Sequence, residues 1–148
     1  MPANTDAIYT KSGSISSVLI TAANTSSQGG GTIGTDIFLA ATANATNGSF
    51  IQRVRFSPTA TAPTTTTATV GRVFISSVAS GATTSANTFL FQEVTLVATA
   101  ADNASASAQP IDIVLGFAID PGFTILITNH AAPAASTAWR AIVIGGPY

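Results

Sequence analysis

Ser49-Phe50-Ile51-Gln52-Arg53-Val54-Arg55-Phe56-Ser57 alternates as a half-buried β-strand does. Side chains two residues apart share a face. The pattern therefore predicts Phe50, Gln52, Val54 and Phe56 on one face and Ile51, Arg53 and Arg55 on the other. One face then belongs to a core and the other meets water or a partner.

Working outward, similar runs of β-branched and aromatic residues recur along the chain, each bounded by Gly, Pro, Asn or Ser. Strands are predicted over 15–20, 33–40, 49–57, 67–76, 88–99, 109–117, 123–130 and 138–145. No stretch keeps a 3.6-residue period between capping residues, so essentially no helix is expected. Asn47-Gly48 and Asp120-Pro121-Gly122 read as tight turns, and Gly29-Gly30-Gly31 as a flexible linker. Between 88 and 99, Leu90, Val94 and Leu96 oppose Phe89, Phe91 and Val97. Such a strand needs cover on both sides, from a loop or a neighbouring subunit. The expected fold class is all-β, a single-domain β-sandwich of about eight strands over 15–148, preceded by a polar arm over 1–14 that is disordered in an isolated protein or docks in an assembly. The small-residue stretches 59–69 and 98–108 read as long loops or as edges lying against something else.

Charged residues make up 7% of the 148 residues, against roughly 25% in an average soluble domain. Ala, Thr and Ser supply 65 residues between them, and the formal net charge is −1. Net charge normally keeps a dissolved monomer apart from its neighbours. A surface of hydroxyls and methyls suits a permanent assembly instead. Five cations against six acids leave no basic stripe to neutralise phosphates, so nucleic acid is not an expected partner. The apolar runs are far shorter than the ~20 residues of a bilayer helix, and the first residues lack a secretory pattern. A soluble protein made in a cytoplasm is the expectation, with no membrane partner.

Chemistry-bearing residues are scarce. His130 is the only histidine and cysteine is absent, so neither a Ser-His-acid arrangement nor a metal cluster can be built from recognisable spacing. Catalytic, cofactor-binding and metal residues are all expected to be none. His130 reads as a polar strand end, and Asp112 and Asp120 as solvated turn residues. Gly29 to Thr35 lacks the Gly-Lys-Ser/Thr ending of a phosphate loop. The four Asn-X-Ser/Thr sequences, beginning at Asn24, Asn44, Asn47 and Asn103, are expected to stay bare without an export signal.

Contact surfaces are the better candidates. Arg53 and Arg55 share a strand face, and Arg72 can join them from an adjacent strand as a patch for an acidic partner surface, or pair loosely with Glu93 or Asp36. Trp139, Ala141 and Val143 face one way and Arg140, Ile142 and Ile144 the other. Trp139 is either interior or, with Tyr148, an aromatic anchor at a subunit contact. The candidate interface is thus Arg53, Arg55, Arg72, Trp139 and Tyr148.

Five segments carry a family resemblance: Gly31-Thr32-Ile33-Gly34-Thr35, Ile51-Gln52-Arg53-Val54-Arg55-Phe56, Gly71-Arg72-Val73-Phe74-Ile75, Phe91-Gln92-Glu93-Val94 and Ala141-Ile142-Val143-Ile144-Gly145-Gly146-Pro147-Tyr148. Together they resemble the cement or decoration proteins of tailed bacteriophages. Those proteins usually end in Gly-Gly-Asp-Tyr, and Pro147 stands here in place of the acid. The resemblance implies a jelly-roll sandwich, a homotrimer, the major capsid protein as partner, and a place on the capsid exterior of a virion made in a host cytoplasm. A different class remains open, a fibre or baseplate module that binds host carbohydrate. An enzyme is the most distant reading.

Overall fold

A computed structural model describes residues 10–61, 63–101 and 109–148, and among these there are ten strands and no helix. They are β1 (Ser14–Ile20), β2 (Gly31–Thr32), β3 (Phe38–Thr42), β4 (Ser49–Ala60), β5 (Thr69–Ser76), β6 (Ala82–Thr83), β7 (Thr88–Leu96), β8 (Ile111–Ile119), β9 (Thr124–Asn129) and β10 (Thr137–Pro147). All eight expected runs form strands, but the 33–40 run joins a sheet only from Phe38 onward.

Two four-stranded antiparallel sheets result, ordered β1-β10-β4-β8 and β3-β9-β5-β7, with β2 and β6 as a small separate pair. Successive large strands cross from one sheet to the other at every step except the β5–β7 hairpin. That order is the jelly roll, an antiparallel sandwich of eight strands. Phe56, Val54, Trp139, Ala141, Val143, Val73, Ile125 and Ile127 fill the space between the sheets. At one flank Ser16 Oγ donates to Ala40 O at 2.7 Å, tying β1 to β3. At the other flank β7 and β8 are both open edges.

The alternation over 49–57 is real, but its parity breaks. Val54, Phe56 and Ile51 are all interior, which two-residue periodicity forbids. A β-bulge lies between Ile51 and Arg53 where β4 pairs β8, and another between Ile144 and Gly145 where β10 pairs β4. One extra residue in a strand turns every later side chain to the other face. Phe50 and Gln52 therefore leave the core face that they were expected to share with Val54 and Phe56.

Two-sided cover exists, on different strands from the one expected. Phe74 of β5 and Leu126 of β9 point away from the main core and pack with Ile37 into a second small core, with Ile33 and Leu39 alongside. The chain from Asn24 to Ile37 closes over them, so the Gly29-Gly30-Gly31 stretch within it is part of a hydrogen-bonded cover and not the flexible linker expected. Asn24 Nδ2 donates to Asp36 Oδ2 and Gly30 O, both at 3.0 Å, and Thr32 N donates to Asp36 Oδ1 at 2.7 Å. On β7, by contrast, Phe89, Leu90 and Phe91 stay exposed.

Both expected turns form, with Gly48 and Gly122 at positive φ. The small-residue stretches lie against one another: Thr66 N donates to Thr99 O and Ala101 N to Thr64 O, both at 2.9 Å. Residues 102–108 of the second stretch lie outside the described residues, as do residues 1–9 of the expected arm. Lys11 N donates to Pro147 O at 3.0 Å, so the chain before β1 runs beside the end of β10. Among the described residues no helix is long and apolar enough to cross a membrane.

Candidate interaction surface

The outward face of the β1-β10-β4-β8 sheet is built row by row by its register. One row is Ile15, Ile144, Arg53 and Val114; the next is Ser17, Ile142, Arg55 and Asp112; a third holds Leu19, Arg140 and Ser57. Ile15 is 74% exposed and Val114 73%. Aliphatic side chains thus ring a central group of arginines on a broad sheet face.

Asp112 sits directly across the ladder from Arg55, so it is a strand residue and not the solvated turn residue expected. Arg55 grips it through both ends of the guanidinium fork, Nε donating to Oδ1 at 2.7 Å and Nη2 to Oδ2 at 2.8 Å. Arg53 Nη1 adds a weaker contact to Oδ2 at 3.5 Å. Arg140 Nη1 donates to Ser17 Oγ at 3.2 Å. Three arginines against one aspartate leave this face two positive charges in excess.

The other expected contact residues scatter. Arg72 is on β5 in the opposite sheet and is 6% exposed, so it does not extend the Arg53–Arg55 patch. Register explains this: sequence places Arg72 in a strand, whereas the crossover after β4 decides which sheet receives that strand. Trp139 is 1% exposed, with Nε1 donating to Thr67 O at 3.1 Å, and forms part of the main core. Tyr148 is half-buried at the end of β10, where its backbone meets Gly48 and Asn47. Only Arg53 and Arg55 of the five lie together on an open face.

Arg72, itself buried, pairs with Glu93, one of the two acids expected for it, and extends that pair into a polar cluster with Asn24 and His130 that sequence reasoning did not assemble. Its Nε donates to Glu93 Oε1 at 2.5 Å and its Nη1 to Asn24 O at 3.1 Å. Its Nη2 lies 3.3 Å from His130 Nδ1, which must accept because a guanidinium only donates. His130 follows β9 directly and is exposed, close to its expectation as a polar strand end. The cluster pins the Asn24 loop to β5 and β7. The available signal was weak: Asn and Asp in a glycine-rich loop bind nearby backbone and give such loops a fixed shape.

No protein-family model matches the chain, and no curated protein matches it. Among solved structures it is similar to a chain of the "Cyanophage Pam1 capsid asymmetric unit", with 18% identity over 98% of this chain and 91% of that one, at a TM-score of 0.42. An overlay that loose carries no weight for fold or function. Both rest on the geometry above.

Asp112 also makes a pH effect predictable. Its hydrogen bonds from Arg55 hold its carboxyl below the ordinary value of 3.8 against the opposing push of burial, and the positive charges of Arg55 and Arg53 add to the lowering. A carboxylate whose folded pKa is depressed contributes stability above its unfolded pKa and loses it as pH falls through the folded one. Asp112→Asn is expected to flatten the stability profile below about pH 4 and to lower the neutral-pH value by the same amount, a modest one because the pair is exposed, so that the two proteins converge in acid. Urea midpoints measured between about pH 2 and pH 7 check this. Identical acid slopes in the two proteins would refute it.

Proposed function

We propose that the protein decorates and cements a phage capsid from outside as a homotrimer, with the outward face of the β1-β10-β4-β8 sheet against the major capsid protein. The observation that carries the reading is the make-up of that face: exposed Ile15, Leu19 and Val114 interleaved with Arg53, Arg55 and Arg140. Protein interfaces are enriched in arginine and depleted of lysine and acids relative to other surface. The guanidinium fork takes a partner carboxylate at two points, and the net positive face favours an acidic partner.

Supporting this are the resemblance of five segments to phage decoration proteins and a composition with little charge for independent life in solution. The jelly roll is a fold used by viral capsid domains among others, and fold alone assigns no function. A cement needs no catalytic residues. It stabilises a shell because it binds the assembled form and not the separated subunits, so its binding free energy adds to that of the shell.

The test uses phage shells prepared without this protein. Wild-type protein added to them is expected to co-sediment at saturable stoichiometry and to raise the temperature at which the shells rupture. Ile15→Glu with Arg140→Glu places two acids on the proposed contact face and is expected to weaken binding by at least about tenfold, the equivalent of 1.4 kcal/mol. Failure of the wild type to bind bare shells, or undiminished binding by the double variant, overturns the assignment.

A further inference from the structure

We infer that the open flank formed by β7 and β8 is where copies of this chain meet, the β8 edge of one copy facing the β7 edge of the next. The inference rests on the homotrimer of the preceding section and names the surface that holds it together.

Phe89, Leu90 and Phe91 of β7, Val97 just beyond it and Val114 of β8 are five of the large apolar side chains that remain exposed. They lie on or beside the two edge strands of one flank. The sheets barely touch there, and the Phe91 ring rests on the Phe117 ring with centroids 4.9 Å apart. Beside that pair a cleft of about 180 Å³ opens between the sheets, lined by Ile75, Phe89, Phe117, Ile119, Asp120 and Phe123. Phe89 is 51% exposed and Phe91 41%. At about 150–250 Å² for each aromatic side chain, and somewhat less for the aliphatic ones, the flank leaves on the order of 400 Å² of apolar surface. A stable interface takes about 800 Å² from each partner, roughly 65% of it apolar at its core. The flank is therefore large enough to supply the centre of one such contact.

Charge and strand length point to a second copy as the occupant. Each acid on these strands is already held by an arginine of its own chain, Glu93 by Arg72 and Asp112 by Arg55. Asp120, exposed on the lining of the cleft, is the further acid there, so the flank carries too little charge to select a strongly basic partner or to keep an identical surface away. Both edge strands are nine residues long. Three sandwiches with this flank turned toward a common axis bring the β8 edge of each beside the β7 edge of the next, a head-to-tail arrangement that closes. It also removes the hazard of two unpaired sheet edges. The rest of the shell-binding face remains free, since of its residues only Val114, on the β8 margin of that sheet, belongs to the flank.

The experiment is sedimentation of full-length protein, comparing wild type with Phe89→Lys, Val97→Lys and, as a control on the opposite edge, Ile15→Glu. Wild type and Ile15→Glu are expected to sediment with the mass of three 14.8-kDa chains. Phe89→Lys and Val97→Lys are expected to fall to one chain while keeping a β-rich circular dichroism spectrum and cooperative unfolding. Val97 lies outside the core, so its variant decides the matter if Phe89→Lys fails to fold. Trimers in both lysine variants overturn this inference and leave the trimer standing. A wild-type dimer dissociated by the same variants supports the flank and removes the trimer. A monomeric wild type at high micromolar concentration overturns both.

Discussion

Gly145→Ala is expected to cost about 3–4 kcal/mol of stability, a large share of the roughly 5–15 kcal/mol that holds a domain of this size together. A Cβ at this position would run into the carbonyl oxygen of Phe50, with Phe50 C at 3.2 Å and Ile51 Cα at 3.1 Å. Every one of those atoms is backbone, so no side-chain rotation relieves the collision. Nor can β4 retreat, because β8 pairs along its other edge. The glycine sits where the β10–β4 register slips, and the two backbones approach there because a bulge crowds them.

Gly146→Ala provides the internal comparison. Its Cβ would meet the carbonyl oxygen of Ser12 and the side chain of Thr10, which belong to the segment ahead of β1 at the sheet edge. That segment can peel away, with loss of the Lys11 N to Pro147 O bond. About 1 kcal/mol is expected. Urea titrations with an unchanged m-value distinguish the two. Equal costs would mean that the β10–β4 approach is not the constraint argued here.

The same glycines show what the sequence disclosed. Alternation located every large strand, because burying one face leaves a period of two in the residues themselves. It assigned Trp139, Ala141 and Val143 to one face correctly, since no bulge interrupts that part of β10. It failed between Ile51 and Val54, where the extra residue leaves no mark in β4. The mark was across the ladder: Gly145-Gly146 inside a strand signals a close approach or a bulge, and it pairs with this stretch.

Arg72 illustrates a second limit. Its strand was legible and its sheet was not, because pairing depends on which connections cross the sandwich, and residues 57 to 69 carry few large side chains to constrain that. The contact with Glu93 joins a cation and an acid 21 positions apart. Both were available as candidates, but only the β5–β7 hairpin selects the pair. The aliphatic rows around Arg53 and Arg55 were hidden for the same reason. Ile15, Ile144 and Val114 become neighbours through three separate pairings, none of them local.

Trp139→Ala is expected to cost about 3–5 kcal/mol, the range for removing a large aromatic side chain from a packed core. Two losses combine. The indole fills space between the sheets in the same core as Val54 and Phe56, and its N–H satisfies the carbonyl of Thr67 in the segment that leads into β5. Trp139→Phe separates them: most of the packing survives, the hydrogen bond does not, and about 1–2 kcal/mol should be lost. Because this is the chain's single tryptophan, its fluorescence reports its own environment. Wild type should emit at the short wavelengths of an apolar site and shift red in one cooperative step with urea. The alanine variant is followed by circular dichroism. Sedimentation then tests location against function, since an interior Trp139 predicts that Trp139→Phe keeps the oligomeric state of the wild type. Loss of assembly in a folded Trp139→Phe protein would move this side chain from the core to a subunit contact.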